Sequence, residues 1–237
     1  MSELGWPEGV STNSAESRGA LGEVLAMQVA AWLREALVER GVATLAVSGG
    51  STPVPFFQAL ARQPLDWERV TVTLVDERWV PESHQASNAR LLRAHLLKGA
   101  AAQANFTPLV TNAASPGEGQ PEVQAQLAAL PATLDVVILG MGTDGHTASL
   151  FPGTPGLEQA LRPDCPSRCQ AMSPPEALQE RITLTRPVID AARHRVLHIA
   201  GEDKLVTLEK ALASPELILS MPIRAFLRSG LAVYWSA

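Results

Sequence analysis

Acid–base side chains and glycines are combined in one stretch of the chain, which runs from residue 140 to residue 153. An imidazole, with an ordinary pKa of about 6.5, can take up and return a proton at neutral pH, so His146 is the candidate general base. Asp144 can either orient that ring or act as a first-turn acid at a short helix. Glycines such as Gly142 allow a tight turn and close approach of the backbone to a ligand. The stretch therefore predicts a site for proton-transfer chemistry.

The same stretch matches the spacing of a dinucleotide-binding fingerprint through Gly140, Gly142 and Gly145. That fingerprint also requires a full helix after the glycines and an acidic residue at the end of the next strand. Pro152 and Pro155 limit any following helix to about two turns. We therefore expect no dinucleotide here.

A second glycine-rich loop follows an apolar run, residues 42–47, that is typical of a buried strand. A helix is predicted from about residue 53 to 61, with Thr52 as its N-cap and Pro53 in its first turn. Backbone N–H groups and the helix dipole would converge there on an anion. The spacing is not that of a nucleotide P-loop, so a single sugar phosphate or carboxylate is expected, and a plain capped turn is the alternative. The candidate ligands are Ser48, Gly49, Gly50, Ser51 and Thr52.

Charged side chains stand at the ends of two further predicted strands. Asp76 and Arg78 follow the strand at residues 70–75, and Lys204 follows the strand at residues 196–200. A guanidinium at such an end can reach a phosphate or a carbonyl oxygen, and an ammonium suits a phosphate as a compact cation. The alternative is that these charges are solvated surface groups.

Strands and helices alternate along the chain. Further helices are predicted at residues 15–40, ending at Gly41, from about residue 87, at 121–130, from 204 to about 213, and at 222–227. Further strands are predicted at residues 106–110, 134–139, 181–185 and 231–235, with a loop at 111–121 and an irregular segment at 152–180. This alternation predicts a single three-layer α/β domain over residues 1–237, with a Rossmann-like, mostly parallel sheet, helices on both faces and a loose lead-in at residues 1–14.

Amino-acid composition and net charge limit the kinds of partner that this chain is expected to bind. The chain has 237 residues, 46% of them apolar and 18% charged, which suits a folded protein with a sizeable core. A net charge of −5 makes nucleic acid an unexpected partner. We find no apolar run of about 18 residues and no secretion signal, so no membrane partner and a cytoplasmic location are expected. Cys165 and Cys169 lack flanking ligands at metal spacing, and we expect two reduced thiols in a loop and no metal.

Four stretches together resemble one family: residues 48–53, 76–80, 140–153 and 201–204. The chain is similar to the 6-phosphogluconolactonases, within the wider group that includes glucosamine-6-phosphate deaminase, from about residue 20 to 235. The resemblance implies hydrolysis of 6-phosphoglucono-δ-lactone to 6-phosphogluconate in the pentose phosphate pathway, without metal or cofactor. The expected partner is that small sugar-phosphate lactone, and the oligomeric state, monomer or homodimer, stays open.

For the site, the resemblance strengthens the roles of His146 as the base that activates water, of Lys204 and the 48–52 loop on the phosphate, and of Arg78 on the substrate. Arg181 is a weaker substrate-binding candidate, because the match around it is looser. Attack by Ser48 or Ser51 is possible, but the Gly-x-Ser-x-Gly elbow is missing, so direct attack by water is expected.

Two other functions stay open. The deaminases carry a Glu shortly after the histidine and a Tyr or similar residue after the Asp-Glu pair, where this chain has Phe151 and Arg78. A non-catalytic sugar-phosphate sensor is the other alternative, but residues 1–20 are too short and too poor in basic residues for the DNA-binding segment that such sensors usually carry.

Overall fold

Ten strands are present in the computed structural model, which describes residue 1, residues 4–174 and residues 179–237. In chain order they are β1 (Ser11–Ala15), β2 (Ala43–Val47), β3 (Val70–Leu74), β4 (Asp76–Arg78), β5 (Asn105–Thr107), β6 (Val136–Leu139), β7 (Cys169–Met172), β8 (Arg181–Leu184), β9 (His194–Ala200) and β10 (Leu231–Ser236). The α-helices are α1 (Arg18–Arg40), α2 (Val54–Leu60), α3 (Asn88–His95), α4 (Pro116–Ala128), α5 (Leu157–Leu161), α6 (Arg186–Asp190) and α7 (Glu202–Ala213). Short 3-10 turns occur at Trp67–Arg69, Gly99–Gln103 and Pro222–Ala225.

Seven strands form one parallel sheet in the order β1-β10-β9-β6-β2-β3-β5. Every residue of the central strands β2 and β6 is buried, as expected for parallel strands covered on both faces. Helix α1 packs on α2, β2 and β10, and it ends at the left-handed Gly41, as predicted. The predicted mostly parallel α/β sheet is confirmed.

The chain leaves this sheet directly after β3. Val75 still donates its N–H to the carbonyl of Val47, but its own carbonyl accepts from the N–H of Leu184, the last residue of β8. Strands β4, β8 and β7 then form a separate antiparallel sheet. In the register of β4 and β8, Arg78 lies opposite Arg181. Two cationic side chains that are far apart in the sequence are therefore cross-strand neighbours.

Several predicted boundaries are wrong. The expected loose lead-in contributes β1, whose five residues pair with β10 at the sheet edge. The helix predicted at 121–130 begins at Pro116, where Ser115 Oγ accepts from Glu118 N, and Pro121 lies inside it. The segment expected to be irregular, 152–180, contains α5 and β7. Its residues 175–178 lie outside the described part.

Two expectations about local contacts are also wrong. Helix α2 has Pro53 at its N-cap position without a side-chain capping bond, so Thr52 does not cap it. Cys169 lies in β7 rather than in a loop, although both cysteines are unpaired and buried.

None of the helices in the described part of the chain is both long enough and apolar enough to cross a membrane.

Candidate active site

The turn after β6 is closed by its own backbone. Gly142 N donates to the carbonyl of His146 at 2.9 Å, and Gly145 N donates to the carbonyl of Gly142 at 3.1 Å. Gly145 has φ +80° and faces Met221 so closely that an added Cβ would lie 2.7 Å from its methyl group. Ile223 N donates to the carbonyl of Gly145, which fixes the turn to the segment after α7. The turn is therefore held at the carboxyl end of a central strand, where α/β sheets bind ligands.

Asp144 and His146 form a direct pair in this turn. His146 Nδ1 lies 2.6 Å from Asp144 Oδ1, which also accepts from His146 N at 3.0 Å. Partial burial acts to raise the pKa of Asp144, but the hydrogen bonds from His146 outweigh it and the pKa is lowered. An ionised Asp144 makes Nδ1 the donor and leaves Nε2 as the nitrogen that can accept a proton.

The carboxylate of Asp144 contacts the His146 ring and no helix N-terminus. No helix begins within residues 147–156, all of which are described, so Asp144 has no helix there to cap. Gly142 makes the pair possible, since an added Cβ would lie 2.2 Å from His146 Nδ1 and 2.5 Å from Asp144 Oδ1.

A cavity of about 370 Å³ opens beside this turn. The predicted residues that line it are Ser48, Gly49, Thr52, Asp76, Arg78, Gly142, His146, Arg181 and Lys204. Gly50 and Ser51 are exposed and Asp144 lies behind the imidazole; these three do not line the cavity. The structure thus brings together ends of β2, β4, β6, β8 and the start of α7.

Two guanidinium groups meet in the cavity wall. Arg78 Nη1 donates to the carbonyl of Ala86 at 2.6 Å, but the Nε atoms of Arg78 and Arg181 are buried without a hydrogen-bond partner among the described residues. Burial lowers the pKa of Arg181, and the positive charge of Arg78 lowers it further, with partial compensation by acidic neighbours. With Lys204, these cations outnumber the one lining carboxylate, Asp76, which favours an anionic ligand.

The two acids of β4 have structural partners. Glu77 accepts from Asn88 N at 2.8 Å and Ala89 N at 2.7 Å, so its carboxylate caps α3. Burial raises the pKa of Glu77, and these backbone N–H groups oppose the rise. Asp76 Oδ2 accepts from Ser149 Oγ at 2.5 Å. Asp76 lines the cavity, and its carboxylate also anchors the segment around Ser149.

The glycine loop after β2 is tied to its neighbours. Ser48 Oγ donates to the carbonyl of Ile138 and accepts from Gly140 N, both at 3.1 Å, so its hydroxyl joins the loop after β2 to the end of β6 and the turn that follows it. A Cβ on Gly49 would lie 2.0 Å from Asn88 Oδ1, which explains a glycine there. Because the Ser48 hydroxyl proton is already donated, this side chain offers no free donor to a phosphate and no free nucleophile.

Asn88, Phe151 and His198 are among the lining residues that were not selected from the sequence as site residues. His198 is 4% exposed, and the centroids of its ring and of the Phe56 ring lie 6.0 Å apart in an edge-on arrangement. Burial lowers the pKa of His198 to about 4, so it is neutral at pH 7. The sequence feature that could have identified His198 as a lining residue is its position two residues before the end of β9.

Comparison with known proteins gives a consistent set of relatives. A family model described as glucosamine-6-phosphate isomerases/6-phosphogluconolactonase matches residues 16–235. A protein named 6-phosphogluconolactonase from Pseudomonas aeruginosa is 49% identical over 235 residues, 99% of this chain and 98% of the relative. Another of that name, from Rhizobium meliloti, is 48% identical over 224 residues, 93% of this chain and 96% of the relative.

Solved structures agree with these relatives. The crystal structure of a 6-phosphogluconolactonase from Shewanella baltica OS155 superposes with a TM-score of 0.93 at 42% identity. The match covers 98% of this chain and 100% of that one.

Proposed function

The chain belongs to the family of glucosamine-6-phosphate isomerases and 6-phosphogluconolactonases. We propose that this protein hydrolyses 6-phosphoglucono-δ-lactone and that His146 and Asp144 are the residues that carry out the proton transfers. The product is 6-phosphogluconate, in the pentose phosphate pathway. One observation carries the mechanism: the 2.6 Å contact that orients His146 lies beside a cavity lined by three cations. We further propose that the whole chain acts as one domain in the cytoplasm, as a monomer or a homodimer.

In this mechanism His146 Nε2 removes a proton from water as the oxygen attacks the lactone carbonyl. The carbonyl oxygen becomes an oxyanion, which a guanidinium in the cavity wall stabilises. The intermediate then collapses with cleavage of the ring C–O bond, and the imidazolium returns the proton to the leaving ring oxygen. Asp144 keeps the tautomer and stabilises the imidazolium, while the Ser48 hydroxyl, already donated to Ile138, takes no nucleophilic part.

The phosphate is assigned to Lys204 and to the part of the 48–52 loop that lines the cavity and is not already bonded, Gly49 and Thr52. Lys204 lies in the first turn of α7 and lines the cavity together with Ser48, Gly49 and Thr52. Arg78 and Arg181, paired across β4 and β8, supply the remaining positive charge to the phosphate or the carbonyl oxygen.

The activity is tested by following lactone hydrolysis after subtraction of the uncatalysed rate. The family also contains isomerases, so glucosamine 6-phosphate is the second substrate to offer. Phe151 has no proton to exchange, and we expect no ammonia release. Binding of 6-phosphogluconate without any acceleration of lactone hydrolysis would instead identify a sensor.

Phosphate recognition predicts strong substrate discrimination. Unphosphorylated glucono-δ-lactone should have a kcat/KM lower by about 10²-fold or more, because each lost charge-assisted hydrogen bond costs about 1.5–3 kcal/mol. Parallel assays of the two lactones measure the ratio. Equal kcat/KM values would contradict the assignment of the cations to phosphate.

Substitution of the ammonium tests its place on the substrate. Lys204→Ala should raise KM by about tenfold and change kcat less, because a phosphate remote from the reacting carbon contributes mainly uniform binding. Lys210→Ala, at an exposed position of the same helix, is the matched control and should leave both constants unchanged. A large loss of kcat with unchanged KM would place Lys204 at the carbonyl end instead.

A further inference from the structure

Phe151 is an aromatic side chain that lines the cavity and takes no part in the hydrophobic core. It is half-buried and belongs neither to the core cluster nor to the apolar side chains packed against that cluster. An aromatic ring usually stabilises a protein by burial in the core. Its position therefore requires another explanation.

The backbone before Phe151 is shaped and anchored. Thr147 Oγ1 donates to the carbonyl of Gly140 at 2.7 Å, and Leu150 N donates to the carbonyl of Thr147 at 3.0 Å. Between them Ala148 has φ 50°, in the left-handed region that disfavours residues with a Cβ. Both hydrogen-bond donors of Ser149 are engaged: its hydroxyl donates to Asp76, and its backbone N–H donates to Thr183 Oγ1 at 3.3 Å. This tight, strained segment places the Phe151 ring against the His146 ring.

The result is a stack of three side chains. The rings of Phe151 and His146 have centroids 4.1 Å apart and planes 26° apart. The guanidinium carbon of Arg181 lies 5.7 Å from the centroid of the same Phe151 ring, within the range of a cation–π contact. One aromatic ring thus contacts both the proposed base and the guanidinium of Arg181, whose Nε has no hydrogen-bond partner among the described residues.

We propose that Phe151 is a positioning residue that holds the His146 imidazole and the Arg181 guanidinium in fixed relation to each other. Asp144 holds the imidazole ring of His146 only at Nδ1, so the ring can still tilt about that contact. The face of Phe151 removes this freedom and keeps Nε2 in one orientation. On Arg181 it fixes a group whose Nε has no other partner among the described residues. The proposal rests on His146 being the base, as proposed above.

Substitution by a flexible aliphatic side chain tests it. Phe151→Leu should lower kcat by about 10- to 100-fold, because a small misplacement of a catalytic group can cost that much. It should also raise KM by about threefold through the lost cation–π contact with Arg181. Phe151→Tyr keeps the flat ring and should stay within about threefold of the wild-type kcat. Thermal unfolding shows whether each variant is folded.

Phe106 offers a matched control. It is also half-buried, and the guanidinium carbon of Arg93 lies 5.1 Å from its ring, but it does not line the cavity. Phe106→Leu should change neither kcat nor KM. Wild-type kcat in Phe151→Leu, or an equal loss in Phe151→Tyr, would overturn the proposal.

A double substitution separates this proposal from the mechanism on which it rests. In a His146→Ala background Phe151→Leu should cause no further loss of kcat, because its effect passes through the imidazole. An undiminished loss in that background contradicts positioning of His146. If His146→Ala alone retains kcat, the mechanism itself fails, whatever Phe151→Leu does.

Discussion

Replacement of His146 by alanine should lower kcat by about 10²- to 10⁴-fold, the usual contribution of a positioned general base. KM should change little, because the imidazole contacts the attacking water and the ring oxygen rather than the phosphate. His146→Gln is informative beside it, since an amide can still donate to Asp144 but cannot accept a proton from water. Steady-state hydrolysis rates, corrected for the spontaneous reaction, measure the loss.

His95→Ala controls for the removal of a histidine as such. His95 lies on α3 and contacts Gln58 rather than the cavity, so its loss should leave kcat unchanged. A His146→Ala enzyme with near-normal kcat would remove the imidazole from the mechanism. Asp76 and Asp144 would then be the bases to test, although each is already bonded to a neighbouring side chain.

Gly142→Ala should lower kcat by about 10²-fold although it removes no functional group. The new methyl group would lie 2.2 Å from two atoms of the His146 ring and 2.5 Å from Asp144 Oδ1, so the pair must move apart. The backbone at Gly142 is not left-handed, and the substitution therefore acts on the imidazole rather than on the backbone. Kinetic constants and the melting temperature of the variant measure the effect.

The same turn supplies the control. At Gly140 an added Cβ would meet Ser48 Cβ at 3.8 Å, an ordinary van der Waals contact. Gly140→Ala should keep kcat within about threefold of the wild type, since no reacting group is displaced. If both substitutions lower kcat equally, the loss comes from the turn as a whole and not from displacement of His146.

Sequence reasoning works best where the site is local. Asp144, His146 and Gly142 lie within five residues, so the turn that joins them depends on short-range geometry and glycine spacing. The cross-strand pairing of Arg78 and Arg181 could not be found in this way. All three residues of β4 are charged, and β8 has only four residues, so neither strand shows a long apolar alternation. Their pairing also joins segments about 100 residues apart.

The wrong boundaries have similar causes. Pro and Gly around residues 111–121 favour a loop, although Ser115 and Glu118 have the spacing of a helix start. Strand β1 is polar and mostly exposed, and it is a strand because its backbone pairs with β10 at the sheet edge. The role of Asp76 as an anchor for Ser149 depends on a contact between residues 73 positions apart in the sequence, which no local sequence pattern can predict.

The pH dependence of kcat, measured in the wild type and in His146→Ala, tests the central claim most directly. A base works only when it is unprotonated, so wild-type kcat should fall at low pH, as the imidazole gains its proton, and rise with pH as the imidazole loses it. The lowered pKa of Asp144 keeps that carboxylate ionised throughout and removes it as the source of the rise. We expect one titrating group in the wild type and no acid limb in the residual activity of His146→Ala. The same acid limb in both enzymes would show that another group activates the water.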